Sequence, residues 1–166
     1  MATVRINEAN GAGQTVTTNI TNSNMGSIDA AALDPVANPI VAGQNSFEKW
    51  QRIEVVSMDG TSAVRNLKIW RTGALGANAT HLTNARTTSY GGAPTYATPT
   101  QSASTVATQT MPTSEPGTAN LGIGGSLTGA IVAPGSSDYL VHQIQTTGAA
   151  TAGTTTTLNY QYDVTA

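Results

Sequence analysis

The sequence predicts an all-β protein built as an antiparallel β-sandwich, on three observations. Residues 47–71 and 138–164 alternate apolar and polar side chains with period two, the pattern of a sheet covered on one side. Both stretches are rich in β-branched and aromatic residues. The chain as a whole is rich in Thr, Ala and Gly, with 10% charged residues and a net charge of -2. That composition suits strands joined by long loops better than the highly charged chains that stay disordered. It also suits a protein that buries surface against neighbours, because charge keeps a free monomer soluble. A length of 166 residues fits one domain with a real core.

Each element follows in order. Residues 1–14 read as a flexible N-terminal arm, with a short strand at 3–6 and a break at Asn10-Gly11-Ala12-Gly13. Residues 15–166 then form the single domain. An edge strand is expected at 15–21, where Val16, Thr18 and Ile20 alternate. Residues 28–33 are the one helix-like piece, ended by Asp34-Pro35 because the residue before proline is pushed out of the helical region. The strand at 47–57 places Ile53 and Val55 on one face and Trp50, Arg52, Glu54 and Val56 on the other. Met58-Asp59-Gly60-Thr61 reads as a turn. Its partner at 63–71 directs Leu67 and Ile69 one way, Asn66, Lys68 and Trp70 the other.

Residues 73–116 read as a long Thr/Ala/Ser/Gly/Pro-rich insertion with candidate strands at 87–90 and 105–110. A connection of that length is usually functional, disordered or ordered by a partner. Short strands at 120–123 and 126–132 return the chain to a C-terminal pair, 138–146 and 155–164. Leu140, His142 and Ile144 share one face of the first, and Leu158, Tyr160, Tyr162 and Val164 share one face of the second. The two apparent hairpins are expected to form the two halves of the sandwich.

The chemistry is defined largely by exclusion. With no cysteine, disulfides, zinc–thiolate sites and thiol nucleophiles are ruled out. The histidines are His81 and His142; His142 is expected to be a hydrogen-bonded sheet histidine rather than a ligand or base. The nine acidic residues are scattered, and Asp59-Gly60 reads as a turn, not a calcium loop. Gly122-Ile123-Gly124-Gly125 lacks the lysine of a phosphate loop, and no serine sits in a nucleophile elbow. Asn19-Ile20-Thr21 and Asn78-Ala79-Thr80 match the glycosylation triplet by chance. No enzyme activity, cofactor or metal is expected. No apolar leader opens the sequence and no run approaches the ~20 apolar residues that span a bilayer, so the expectation is synthesis in a cytoplasm and no membrane partner.

One constellation remains. Lys49, Arg52, Arg65, Lys68 and Arg71 are five of the seven basic residues, all within 47–71. If the two outer faces coincide, Trp50, Arg52, Lys68 and Trp70 form an exposed interface patch of the composition that binding hot spots favour. The other reading puts a tryptophan in the core after a β-bulge, with arginine stacked on it. A pI near 5.5 argues against a nucleic-acid partner.

The phrases Gly60-Thr61-Ser62-Ala63-Val64-Arg65-Asn66-Leu67-Lys68-Ile69-Trp70 and Ser137-Asp138-Tyr139-Leu140-Val141-His142-Gln143-Ile144, with the turn at 150–153 before a Tyr-x-Tyr strand, resemble the Ig-like or jelly-roll sandwiches of tailed-bacteriophage virions. These include decoration (cement) proteins and minor head or neck proteins. The resemblance covers about half of the chain. It implies a non-enzymatic virion protein that binds and stabilises the assembled head by mass action. The implied partners are the major capsid protein or other virion proteins, together with homo-oligomerisation, a trimer among the options. It transfers no catalytic residues. Two competing functions follow from other residues. A carbohydrate- or receptor-binding module of a tail or fibre would use Trp50, Trp70, Tyr90 or Tyr96 as stacking platforms. A hydrolase would need His81 or His142 beside an acid in a cleft.

Overall fold

The computed structural model describes residues 1–86, 95–124, 129–153 and 155–166. The expected strand at 87–90 and the start of that at 126–132 lie outside them. Among the described residues nine strands run in the order β1 Thr3–Asn10, β2 Thr15–Thr17, β3 Lys49–Ser57, β4 Ala63–Thr72, β5 Ala79–Ala85, β6 Gln109–Thr110, β7 Gly135–Ser136, β8 Leu140–Thr146 and β9 Thr157–Thr165. No helix occurs among the described residues; the helix-like stretch 28–33 is bends and turns. The protein is all-β, as expected. Every strand pair is antiparallel.

The larger sheet has seven strands in the order β2-β1-β3-β8-β5-β6, with β7 also paired to β3; the smaller is the pair β4-β9. Both predicted hairpins are therefore split. β3 and β4 enter different sheets, and so do β8 and β9. Asp59 (φ 42°) and Gly60 (φ 79°) do make a tight left-handed bend, but it carries the chain between layers instead of back along a neighbour. The strand faces explain this. Ile53 and Val55 of β3 and Leu67 and Ile69 of β4 all need one apolar interior. Apposing the two strands across a core buries both sets together, each against the other. That shared core contains Ile53, Val55 and Leu140 from the large sheet and Val64, Leu67 and Ile69 from the small one, closed by Met111, Leu121 and Ile131.

Three further expectations are corrected. The N-terminal stretch is not an arm: β1 pairs along β3 from Thr3↔Ser57 to Ala9↔Trp50, because Val4 and Ile6 supply the inward side chains of a true sheet strand. The stretch 73–116 is not an excursion, since β5 pairs with β8 over all seven of its residues, from Ala79↔Thr146 to Ala85↔Leu140. Residues 120–123 are a turn rather than a strand. There the Asn120 side chain lies along β4, its Oδ1 accepting from Ile69 N at 2.8 Å and its Nδ2 donating to Ile69 O at 2.9 Å.

The outer face of the large sheet carries a second core. Ala9, Trp50, Tyr139 and Val141 lie there under Ala107, with Tyr96 and Val106 packed against them. The cover is an irregular strap, residues 95–107, tied down by side chains of the sheet and of its adjoining residues. Thr95 N donates to Asp138 Oδ1 at 2.8 Å, and Thr100 N to Glu48 Oε2 at 3.3 Å. Gln143 Oε1 accepts from Ser104 N at 2.9 Å while its Nε2 donates to Ser102 O at 2.7 Å and Ser46 O at 3.1 Å. Buried backbone groups require partners, and here these side chains supply them where no ladder does.

Candidate functional site

The four residues of the predicted patch do not meet on one surface. Trp50 and Arg52 lie on the outer face of the large sheet, Lys68 and Trp70 on the small sheet. Trp50 is buried, edge-on to Tyr96 at 5.2 Å and Tyr139 at 5.7 Å, and its Nε1 donates to Glu48 Oε2 at 3.0 Å. No bulge is needed to bury it, because the β1–β3 register shifts only between Thr3 and Val4. Arg52 stacks over Tyr139, 5.5 Å from the ring centre. Lys68 pairs with Glu115 at 2.8 Å, and Trp70 is half-buried. Tyr96 is held in the same cluster, its hydroxyl donating to Gly11 O at 2.7 Å, and Tyr90 lies outside the described residues. Burial, followed by the Asp29 charge, pushes the Tyr96 hydroxyl's pKa well up.

The inner face holds the more distinctive arrangement. One half is the apolar core; the other is polar. Glu8 of β1 and Lys49 of β3 form a fully buried ion pair at 2.9 Å. Lys49 Nζ also donates to Ala30 O, and Glu8 Oε2 accepts from Ser23 Oγ and Gln51 Nε2. Tyr160 of β9 reaches across to donate to Gln51 Oε1 at 2.7 Å. Its own pKa is strongly raised by burial and then by the Glu8 charge. His142 falls on the face with Leu140 and Ile144, as expected, but among the described residues neither of its ring nitrogens has a hydrogen-bond partner. It stacks edge-on with His81 at 5.5 Å. Burial holds the His142 pKa well below its ordinary value; burial and then the Arg71 charge bring His81 to about 3. Both rings are neutral at pH 7.

Beside this polar half opens a cleft of about 1030 Å³. Its floor is Ile6, Gln51, His81 and Ile144 of the large sheet, and its wall is Arg71, Leu158 and Tyr160 of the small one. The rim comes from residues 20–25 and from the loop around 150–153. That loop sits tightly on the 73–78 turn: a Cβ added to Gly76 would fall on Thr151 O, so only glycine permits the approach. A smaller cleft of about 510 Å³ lies behind, and Arg71 and His81 line both. Sequence reasoning missed this site. Arg71 was legible only as one of a basic cluster, and His81 sat inside a stretch with little apolar periodicity.

No group of three or more His, Asp or Glu among the described residues is placed to hold a metal ion. No helix of the described residues is long and apolar enough to cross a membrane. Comparison with protein families, curated proteins and solved structures finds no match to this chain.

Proposed function

We propose that this chain is a non-enzymatic structural protein of a tailed-phage virion, a head-decorating protein of Ig-like or jelly-roll type that binds the assembled capsid. The observation that carries this reading is the free edge of β9. Among the described residues β9 pairs with β4 alone. Its Tyr162 and Val164 are 38% and 37% exposed. A nine-residue edge without a lysine, proline or bulge of its own to blunt it is a template for pairing with another chain. Free monomers avoid such edges, whereas subunits of an assembly use them. The resemblance to virion sandwiches and the sparse charge support the same reading. The partner is then the major capsid protein or a neighbouring virion subunit, and the protein's place is the virion.

Co-sedimentation with undecorated heads tests this. Saturable binding at fixed stoichiometry is expected to assembled heads and not to free subunits. Val164→Lys should weaken it by about tenfold or more, because a lysine on an edge strand opposes strand addition. Absence of binding by the folded protein, or wild-type binding by the variant, overturns the proposal.

A further inference from the structure

We propose that the inner cleft is a binding site for a small organic acid, a single carboxylate carried on an apolar chain, with Arg71 as its anchor. Arg71 is 8% exposed, yet among the described residues its guanidinium pairs with no acid. Nη1 donates to Gly73 O, and Nε has no partner. Arg71 is the one charged residue lining the cleft among the described residues. A buried cation without a counter-charge is costly, and a guanidinium fork matches a carboxylate with two parallel bonds. The rest of the surface sets the remainder of the ligand. Ile6, Ile20, Ile144, Leu75 and Leu158 offer an apolar track, while Gln51 is already engaged, its Oε1 accepting from Tyr160 and its Nε2 donating to Glu8 and Ser23. A mainly apolar cleft with a few placed polar groups is the usual form of a small-molecule site.

The charge of the ligand follows from the neighbours. His81, 5% exposed and with Nε2 unpartnered among the described residues, lies on the floor of the cleft next to the Arg71 wall. Its ring is neutral, so the site carries one positive charge. That favours a monoanion over a phosphate dianion. His81 therefore adds no charge beside Arg71.

Isothermal titration calorimetry of the full chain with octanoate, octanamide and inorganic phosphate tests this. Octanoate is expected to bind one to one, about tenfold or more tighter than octanamide, with phosphate weaker than octanoate. Arg71→Gln should abolish the preference for octanoate over octanamide. Equal affinity for acid and amide, an unchanged preference in Arg71→Gln, or no saturable octanoate binding overturns the proposal. Should the variant not fold, the wild-type Arg71 Nε–H resonance decides. It should shift with octanoate and not with octanamide; a resonance that octanoate leaves in place refutes the site.

Discussion

The buried Glu8–Lys49 pair offers the sharpest test of the inner face. Both side chains are 0% exposed and sit 2.9 Å apart. Glu8→Gln removes the negative charge and leaves the Lys49 ammonium with the Ala30 carbonyl and a neutral amide. Breaking a buried pair this way costs about 3–5 kcal/mol, a large share of the roughly 5–15 kcal/mol that holds a domain folded. Lys49→Met should cost a similar amount by stranding the carboxylate. Replacing both by Met removes both charges at once. It orphans the Ala30 carbonyl and leaves the Ser23 hydroxyl without its acceptor, at about 1–3 kcal/mol each, partly offset by new apolar packing. The double variant should therefore lose less than the two single losses combined, with a coupling of about 3 kcal/mol or more. Urea unfolding at pH 7 measures all four corners of the cycle. The losses should hold between low salt and roughly 1 M salt, since buried pairs are weakly screened. Additive losses, or a single-variant cost under about 1 kcal/mol, would refute a desolvated pair.

Two further outcomes are expected. Stability should fall with acid well before the carboxylates titrate. His81 and His142 are neutral in the fold and protonate freely when unfolded, so the unfolded state binds more protons below about pH 6.5. Each histidine then removes up to ~1.4 kcal/mol per pH unit. Glu54 is held below the ordinary carboxylate value, first by the hydrogen bond from Arg5; its contribution is present at higher pH and is lost only as the pH falls further. A flat stability profile between pH 7 and 5 contradicts the buried neutral histidines, and H81Q/H142L should flatten the wild-type slope. Separately, Gln143→Ala unties the strap at Ser102 and Ser104. Orphaned groups at about 1–3 kcal/mol each should cost stability and speed amide exchange at Ser104, whereas β3 keeps its protection.

The strands with strong alternation were legible: β3, β4, β8 and β9 fall close to their expected limits, because each sets at least two apolar side chains on one face and polar ones between them. Their pairing was not. Asp59-Gly60 gives the same local signal whether the chain returns beside β3 or crosses to another layer, and the choice depends on Leu67 and Ile69 meeting Ile53 and Val55. β5 was hidden because its inward residues are His81, Thr83 and Ala85, which bury well but score as polar or small. β1 was hidden by Arg5, Asn7 and Glu8, whose partners Glu54, Ser23 and Lys49 are distant in sequence. The strap has no periodicity to read, since side chains of Glu48, Asp138 and Gln143 hold it. The cleft shares that cause: Arg71 and His81 are ordinary in sequence and become a site only where two sheets diverge.

The crossing of the chain between layers also governs how the molecule can be made. The β4–β9 ladder joins residues such as Ala63 and Thr165, 102 positions apart. Pairings of such high contact order place folding in the millisecond-to-second range and bring a long loop-closure penalty. During synthesis β4 emerges long before β9 exists. Its Val64, Leu67 and Ile69 must wait, unpaired on that side, until β9 has left the ribosome. A nascent chain in that state exposes a sticky half-sheet, so deletion of β9 should yield aggregate rather than a smaller folded protein.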